Sequence, residues 1–174
     1  MSLNPALRDV SFCPRCAAPA TVDEPRSLRC ASCGYVAFYN PKPVAAAIPR
    51  DPDGRIILLR RGEAHAPGLG LWTFPGGFVD LGESVEDAAV REAREELVID
   101  ITLDGLHGVY SRPDERVVLI VFTATTDQEP QLTAEATEVR AFAPDALPWD
   151  ELAFWSTTLA LEELVGSARR PPPA

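Results

Sequence analysis

The central part of the sequence alternates between short apolar runs and one long amphipathic segment. Apolar runs bounded by turn residues are typical of strands, and they predict strands at residues 44–48, 55–60, 101–110, 117–125 and 139–142. Proline and glycine within 51–54 predict a hairpin turn between the first two strands. We also expect a loop at 63–71, a break in regular structure at Pro75, Gly76 and Gly77, and a closing helix at 157–165. Strands that alternate with helices indicate an α/β layered fold.

Residues 84–97 carry the clearest helical pattern in the chain. Ser84 and Asp87 form a capping box, which marks the start of a helix. At about 100° per residue, Glu92 and Glu96 fall on the apolar side of this helix. The residues that define that side are Val85, Ala88, Ala89 and Ala93. The projection therefore predicts two carboxylates that face the protein interior.

An ordinary solvated helix with ion pairs is the alternative interpretation of this acidic segment. It accounts for Glu95, because Arg91 stands four residues before it. It does not account for Glu92 and Glu96, which have no basic residue three or four positions away. Carboxylates that lose their water are costly unless a cation meets them. A glutamate-rich helix taken alone is more often a solvated face, and it is the glycine segment at residues 75–77 before the capped helix start that shifts the interpretation towards a site for a divalent cation beside a diphosphate.

Composition and charge narrow the possible partners. The 174-residue chain has a net charge of −10 and lacks the basic surface that nucleic-acid binding requires. No apolar run is long enough to span a bilayer, and the first ten residues have no signal-peptide core. We expect a cytoplasmic protein without a membrane partner, and an acidic surface of this kind suits a site that collects divalent cations.

All four cysteines lie in two Cys-x-x-Cys pairs that are 13 residues apart, Cys13 with Cys16 and Cys30 with Cys33. Four thiolates at this spacing can surround Zn²⁺ as a tetrahedron. Two disulfides or free buried thiols are the alternatives, and a reducing cytosol disfavours the disulfides. Four cysteine ligands leave no open coordination position, so we expect a structural Zn²⁺.

Residues 77–99 resemble the signature of the Nudix hydrolase family. In that signature a glycine is followed, after five residues, by a glutamate, and after seven more residues by Arg-Glu. Glu-Glu and a glycine that ends the helix come after these. Its charged positions are held here by Glu83, Arg91, Glu92, Glu95 and Glu96. Val98 stands in place of the final glycine, which affects the helix end more than the chemistry.

Two further segments extend this resemblance. Residues 72–77 are similar to the usual lead-in of the family. The cysteine ribbon followed by 38–43 is similar to ribbon-bearing bacterial members of the NADH and ADP-ribose pyrophosphatase groups. The resemblance implies a Nudix-like α/β/α sandwich with a mixed sheet. The expected domains are a zinc ribbon at 1–40, a Nudix hydrolase domain at 41–166 and a disordered tail at 167–174.

The resemblance also implies a reaction, in which water substitutes at phosphorus with the help of Mg²⁺ or Mn²⁺. The implied metal ligands are Glu92 and Glu96 as the primary pair, with Glu95, Glu83 and the Gly77 carbonyl as further contributors. Arg91 would orient the glutamates. The general base is left open between Glu96, another glutamate of the signature, and a later loop residue, Glu135 or Glu138. For the loop pair a solvated surface position is the stronger interpretation.

The substrate is the least determined part of the prediction. Gly76 and Gly77 allow close approach of a phosphate, and Pro113 lies where ADP-ribose-cleaving members have a proline. Trp72, Phe74 and Tyr110 are either base-stacking residues or core residues. We expect a nucleoside diphosphate linked to another moiety, with ADP-ribose preferred.

Two other functions and an assembly stay open. An NADH or NAD pyrophosphatase is the alternative within the class, although a Ser-Gln-Pro-Trp-Pro-Phe-Pro stretch typical of that group is missing. A non-catalytic nucleotide sensor or a zinc-ribbon interaction module is the alternative from another class. Similar proteins often form dimers, so a homodimer is a further expectation.

Overall fold

The computed structural model describes residues 7, 10–24, 27–62, 67–113 and 115–168. Contacts divide the chain into two compact units, Met1–Pro41 and Lys42–Ala174. The tail expected at 167–174 lies mostly outside the described residues, and the last helix includes its first two positions. None of the described helices is long and apolar enough to cross a membrane.

The first unit contains a small antiparallel sheet. Its strands are β1 (Thr21–Glu24), β2 (Ser27–Arg29) and β3 (Val36–Phe38), with β2 in the centre. Each cysteine pair lies in a turn of the same kind. Ala17 N–H donates to the Cys13 carbonyl at 2.9 Å and Gly34 N–H donates to the Cys30 carbonyl at 3.0 Å. Ala17 and Gly34 both have positive φ angles, 58° and 71°, so the two turns present their thiols in the same way.

The second unit is built on a mixed sheet with the central order β10-β5-β4-β9-β8. Its strands are β4 (Lys42–Arg50), β5 (Ile56–Arg61), β6 (Trp72–Thr73), β7 (Gly76–Phe78), β8 (Thr102–Tyr110), β9 (Val117–Thr125) and β10 (Ala136–Phe142). β6 adds to β5 and β7 adds to β4, while β4 and β9 are parallel and the other pairs antiparallel. The mixed sheet and the five strands predicted from apolar runs are therefore confirmed.

Two helices cover this sheet. α1 (Val85–Leu97) and α2 (Trp155–Ala168) belong to two separate apolar clusters, and a 3₁₀ turn at Trp149–Glu151 precedes α2. From β4, the α1 cluster includes Ala45 and Ala47, and the α2 cluster includes Ala46 and Ile48. Successive strand residues point to opposite faces, so the helices lie on opposite sides of the sheet, and the expected α/β/α layering is confirmed.

The segment around Pro75 corrects one expectation. Pro75 does interrupt regular structure, as a bend between β6 and β7, but Gly76 and Gly77 belong to β7, in which Gly76 pairs with Ala46 and Gly77 with Ala45. A Cβ atom on Gly76 would lie 2.5 Å from the Ala46 side chain. The glycine is therefore needed for close pairing of two strands, a tertiary requirement that local turn chemistry does not reveal.

The ends of α1 agree in part with the sequence pattern. Ser84 is the N-cap, and its hydroxyl oxygen accepts from the Asp87 N–H at 3.0 Å, as the capping box predicts. At the other end Val98 adopts the left-handed conformation, with φ 57° and ψ 38°. A β-branched residue there costs about 1–2 kcal/mol relative to glycine. The helix thus ends in the geometry that glycine normally supplies, but with strain.

Candidate active site

The glycine segment and the acidic helix meet on the α1 face of the sheet. β7 places Gly77 beside Ala45, and α1 packs against both β4 and β7. A Cβ atom on Gly77 would lie 2.3 Å from Oε1 of Glu92. Only glycine leaves room for this carboxylate, so Glu92 lies directly on the backbone of β7.

Glu96 lies one turn further along α1 and contacts the neighbouring glycine. Gly76 N–H donates to its Oε2 at 2.9 Å, while Oε1 has no hydrogen-bond donor among the described residues. The side chains of Glu96 and Glu92 are buried, with only 6% and 9% of each residue exposed. Burial is the main cause that raises the pKa of Glu96 to about 7, and the charge of Glu92 contributes to the same shift. Burial likewise raises the pKa of Glu92.

Arg91 is the centre of an ion-pair network around these glutamates. Its guanidinium donates to Glu83 at 2.8 and 3.1 Å, to Glu92 at 2.7 Å and to Glu95 at 2.8 Å. It also donates to the backbone carbonyl of Phe78 at 3.0 Å. The contact with Glu83 contributes most to raising the pKa of Arg91, and the same contact lowers the pKa of Glu83. One side chain thereby fixes three carboxylates relative to β7.

These oxygen atoms suit a hard divalent cation. Mg²⁺ and Mn²⁺ prefer carboxylate and carbonyl ligands, and Glu92 and Glu96 are buried carboxylates that lack full compensation. Within the described residues, the only metal-ligating group whose atoms all lie within 4.8 Å of one another is the cysteine set. Arg91 forms ion pairs with Glu83, Glu92 and Glu95, so these three carboxylates already face a cation of the chain itself. The residues fit a cation through the free Glu96 oxygen and the cradle at Gly77.

The two loop glutamates occupy different surroundings. Glu135 contributes to the raised pKa of both Glu92 and Glu96 through its charge. Its loop is tied to α1, because the Thr133 hydroxyl donates to the Glu96 carbonyl at 3.1 Å. Glu138 instead forms ion pairs on β10 with two arginines, Arg60 and Arg140. The structure therefore brings Glu135 towards the buried pair and leaves Glu138 engaged elsewhere.

The aromatic residues suggested for base stacking belong to the core. Trp72 is 1% exposed and packs edge-on against Phe142 at 5.0 Å between ring centroids, and Phe74 is 3% exposed. Tyr110 is buried and donates to Glu163 at 2.6 Å. None of these rings offers an accessible face, because the apolar cluster under α2 encloses all three. Pro113 lies on the exposed turn between β8 and β9.

Arg61 is a cation near the site that the sequence patterns did not single out. Its charge lowers the pKa of Glu96, against the effect of burial. Its guanidinium lies 5.4 Å from the centre of the Phe154 ring and donates to the Pro67 carbonyl at 2.9 Å. One feature of the sequence could have indicated Arg61, because two arginines follow each other at the end of an apolar strand. Consecutive strand residues face opposite sides of the sheet, so the two arginines face different sides.

The four thiols of the first unit have the spacing of a tetrahedral site. Cys13 and Cys33 Sγ are 3.8 Å apart, and Cys16 and Cys30 Sγ are 3.7 Å apart. With Zn–S bonds of about 2.3 Å, a regular tetrahedron has sulfur–sulfur edges of about 3.8 Å. The predicted zinc ligands therefore lie together, at distances that fit the ion.

An α/β/α sandwich with an acidic helix packed on a Gly-Gly strand defines the structural class of this chain. A family model described as the NUDIX domain matches residues 40–161. The chain belongs to that family. The solved structure of a NUDIX hydrolase from Nitrosomonas europaea superposes with a TM-score of 0.82 at 29% identity, covering 93% of this chain and 95% of that one.

Two curated relatives show how the similarity is distributed. An ADP-ribose pyrophosphatase from Methanocaldococcus jannaschii is 42% identical over 76 residues, 41% of this chain and 44% of the relative. An NAD-capped RNA hydrolase NudC from Chromobacterium violaceum is 32% identical over 143 residues, 79% of this chain and 51% of the relative. The matches thus span about half the length of these relatives.

Proposed function

We propose that this protein is a metal-dependent pyrophosphohydrolase that cuts the diphosphate linkage of a nucleoside diphosphate joined to another moiety, with ADP-ribose preferred. The observation that carries the proposal is the burial of Glu92 and Glu96 against the backbone of Gly76 and Gly77. A protein gains no stability from two neighbouring buried carboxylates, so their place is best explained by a cation and an anionic substrate.

In this proposal, Glu92 and Glu96 hold Mg²⁺ or Mn²⁺ together with Glu95, Glu83 and the Gly77 carbonyl. When bound, the ion neutralises the diphosphate and makes the attacking water more acidic. Arg91 keeps the glutamates in place through the contacts described above. Positioning and charge stabilisation then supply most of the rate enhancement.

The reaction adds water across a phosphorus–oxygen bond. The water oxygen bonds to one phosphorus, the bridging bond to the second phosphate breaks, and a carboxylate accepts the water proton. For ADP-ribose the products are AMP and ribose 5-phosphate. Glu96 stays one candidate base, because it lies against the Gly76 backbone and only one of its carboxylate oxygens accepts a hydrogen bond there. Among the loop candidates, the charge effect on the buried pair favours Glu135, and Glu138 stays a weaker alternative.

Cleavage of NADH or NAD is the second candidate function. It is supported by the match to the NAD-capped RNA hydrolase over 79% of this chain, which is longer than the match to the ADP-ribose pyrophosphatase. A non-catalytic nucleotide sensor is less compatible with the geometry, because a sensor has no need of a buried acidic pair. A structural Zn²⁺ in the ribbon and a homodimer remain parts of the proposal.

A substrate panel tests this proposal. The purified chain is incubated with ADP-ribose, NADH, dinucleoside polyphosphates and nucleoside triphosphates, each with Mg²⁺ and with EDTA. We expect AMP and ribose 5-phosphate from ADP-ribose with Mg²⁺ only. Preferential release of AMP and reduced nicotinamide mononucleotide from NADH would favour the second candidate. Absence of turnover on every compound with Mg²⁺, and with Mn²⁺ in its place, would contradict an enzymatic function.

A further inference from the structure

The connection between β9 and β10, residues 126–135, is fixed to the C-terminal end of α1. An α-helix leaves its last four carbonyl groups without partners inside the helix. Two of these carbonyls in α1 accept hydrogen bonds from the 126–135 connection. The Glu96 carbonyl accepts from the Thr133 hydroxyl at 3.1 Å, and the Leu97 carbonyl accepts from the Gln131 N–H at 2.8 Å. The connection therefore caps α1 at the residue that carries one of the two buried carboxylates.

Val98 leaves the end of α1 open for this contact. Its left-handed conformation, with φ 57° and ψ 38°, ends the helix directly after Leu97. A backbone N–H that follows is used elsewhere, since Asp100 N–H donates to the Gln128 side chain at 2.8 Å. The last carbonyls of α1 are thus available, and residues of the 126–135 connection bind them.

Two threonines hold the two ends of the 126–135 connection with the same kind of hydrogen bonds. The Thr126 hydroxyl donates to the Asp100 carbonyl at 2.8 Å and accepts from the Gln128 N–H at 3.2 Å. The Thr133 hydroxyl, besides its contact with α1, accepts from the Glu135 N–H at 3.3 Å. Each threonine therefore joins the connection to a distant carbonyl and orders the residue two positions further along the chain.

The two ordered residues have different side-chain partners. Gln128 binds the protein again, because its side-chain amide donates to the Asp100 carboxylate at 3.3 Å. Among the described residues, the exposed Glu135 carboxylate has no hydrogen-bond donor and no cation at ion-pair distance. Its charge acts instead on Glu92 and Glu96, and it raises the pKa of both. Only the Thr133 end thus orders a carboxylate that faces the buried pair.

The backbone of Glu135 is also held from the side of β5. Gly62 N–H donates to the Glu135 carbonyl at 2.8 Å. The next residue, Ala136, belongs to the apolar cluster under α1, so the connection ends on the face of the sheet that α1 covers. Like charges repel, so a glutamate on a free backbone would move away from two buried carboxylates. The hydrogen bonds around Glu135 hold it against this repulsion.

We propose that Thr133 is a positioning residue, which keeps the Glu135 carboxylate beside the buried pair by joining the 126–135 connection to the Glu96 carbonyl. This inference rests on the proposed function, in which Glu135 is a candidate to accept the proton of the attacking water, and it makes that function more specific. Thr133 is not a catalytic residue, because it acts only through the backbone. A displacement of about 1 Å can lower a reaction rate about a hundredfold, so the position of Glu135 matters.

A helix cap that only stabilises α1 is the competing explanation. Loss of such a cap lowers the melting temperature, and loss of the Thr126 hydrogen bonds should do the same. The two explanations differ in their effect on kcat. A purely structural cap makes the two threonines equivalent, whereas a positioning residue makes turnover depend on Thr133 alone.

Matched threonine variants test the proposal. Thr133→Val and Thr126→Val each remove one hydroxyl that makes the same kind of hydrogen bonds. With saturating Mg²⁺ and the preferred substrate, we expect Thr133→Val to lower kcat about tenfold and to change KM less than about threefold. Thr126→Val should change kcat less than about twofold, and Thr133→Ser, which keeps the hydroxyl, should recover most of the lost rate. Equal kcat values for the two valine variants, at similar melting temperatures, would overturn the inference.

A double variant tests whether the effect of Thr133 passes through Glu135. Glu135→Gln alone should lower kcat about a hundredfold, the usual effect of losing a proton acceptor. Adding Thr133→Val to it should lower kcat less than about twofold further, because two residues that act as one unit are not additive. A further tenfold loss would show that Thr133 acts on another residue. A wild-type kcat in Glu135→Gln would equally contradict the inference.

Amide hydrogen exchange measured by NMR gives a test that does not depend on turnover. The Glu135 N–H donates to the Thr133 hydroxyl, so it should exchange at least about fivefold faster in Thr133→Val. In Thr126→Val the exchange at Glu135 should stay within about twofold of the wild-type rate. Unchanged exchange at Glu135 in folded Thr133→Val would show that this hydroxyl does not hold the backbone.

The outcomes separate this inference from the proposed function. A wild-type chain that cleaves no compound of the panel contradicts the hydrolase, and the inference with it. An active wild-type chain in which Thr133→Val behaves like Thr126→Val contradicts only the inference, because Glu96 then stays as the candidate base.

Discussion

The two helices of the second unit have similar lengths and cover the same sheet, but they bury different side chains. On α2 the residues turned towards the sheet are Thr157, Ala160 and Leu161, and the glutamates face solvent. On α1 the inward residues include Glu92 and Glu96 beside three alanines and Leu97. α2 therefore has the composition expected of a helix that only closes a core, whereas α1 carries a destabilising pair of charges that stability alone does not explain.

The difference between the helices extends to their electrostatics. Burial raises the pKa of both α1 glutamates, so the folded protein disfavours their charged forms. Arg91 compensates Glu92 directly, but Glu96 receives only the Gly76 N–H. In α2 the exposed Glu163 accepts a hydrogen bond from the Tyr110 hydroxyl at 2.6 Å. The contrast indicates that the buried glutamates make α1 less stable than a helix with an apolar inner face. Lower stability of this kind is common where residues are placed for activity.

The largest effect is expected from matched glutamate substitutions in the two helices. Glu96→Gln removes the proposed metal ligand and a candidate base, and should reduce kcat by at least about a thousandfold. Glu163→Gln on α2 keeps the acceptor for Tyr110 and should change kcat less than about twofold. Turnover of the preferred substrate with saturating Mg²⁺ measures both. Wild-type rates in Glu96→Gln would remove Glu96 from the site.

Glycine substitutions give the next contrast. Gly77→Ala places a methyl group within 2.3 Å of the present Glu92 Oε1, so the carboxylate must move. We expect kcat/KM to fall at least about a hundredfold, with weaker Mg²⁺ binding by calorimetry. Gly166→Ala in α2 meets nothing within 4 Å and should stabilise the helix by up to about 1 kcal/mol. Equal activity in the two variants would show that Glu92 does not need its present position.

The smallest expected effect is a pH dependence of stability in the metal-free protein. The folded pKa of Glu96, about 7, lies above its usual value of 4.5. Stability from this group is therefore complete below about pH 4.5 and is lost as the pH rises through 7, by at most about 3 kcal/mol. Chemical unfolding of the wild type and Glu96→Gln in EDTA, from pH 5 to 9, measures the difference in the free energy of unfolding between the two proteins at each pH.

Two controls decide the interpretation of that profile. Saturating Mg²⁺ should abolish the loss in the wild type, because the cation binds the charged carboxylate. A free-energy difference between wild type and Glu96→Gln that stays constant from pH 5 to 9 would show that Glu96 is not destabilised by burial in the folded chain.

The helix and its acidic face could be predicted because they depend on local rules. The capping hydrogen bond of Ser84 involves residues three positions apart, and the burial of Glu92 and Glu96 follows from helical periodicity. The aromatic residues show the limit of such rules. Trp72 and Phe78 lie six residues apart in the same segment, yet the first is 1% and the second 52% exposed. Which of them is available to a ligand depends on distant elements, among them Phe142, which packs on Trp72.

By itself, the sequence determined the cysteine pairs, the capped acidic helix and the strands around them, because spacing and periodicity act over a few residues. Only the tertiary structure decided that Gly76 and Gly77 form a strand and that Arg91 joins three glutamates to it. Those contacts join residues that are distant along the chain, and a polypeptide brings such residues together only when its sheet and helices pack.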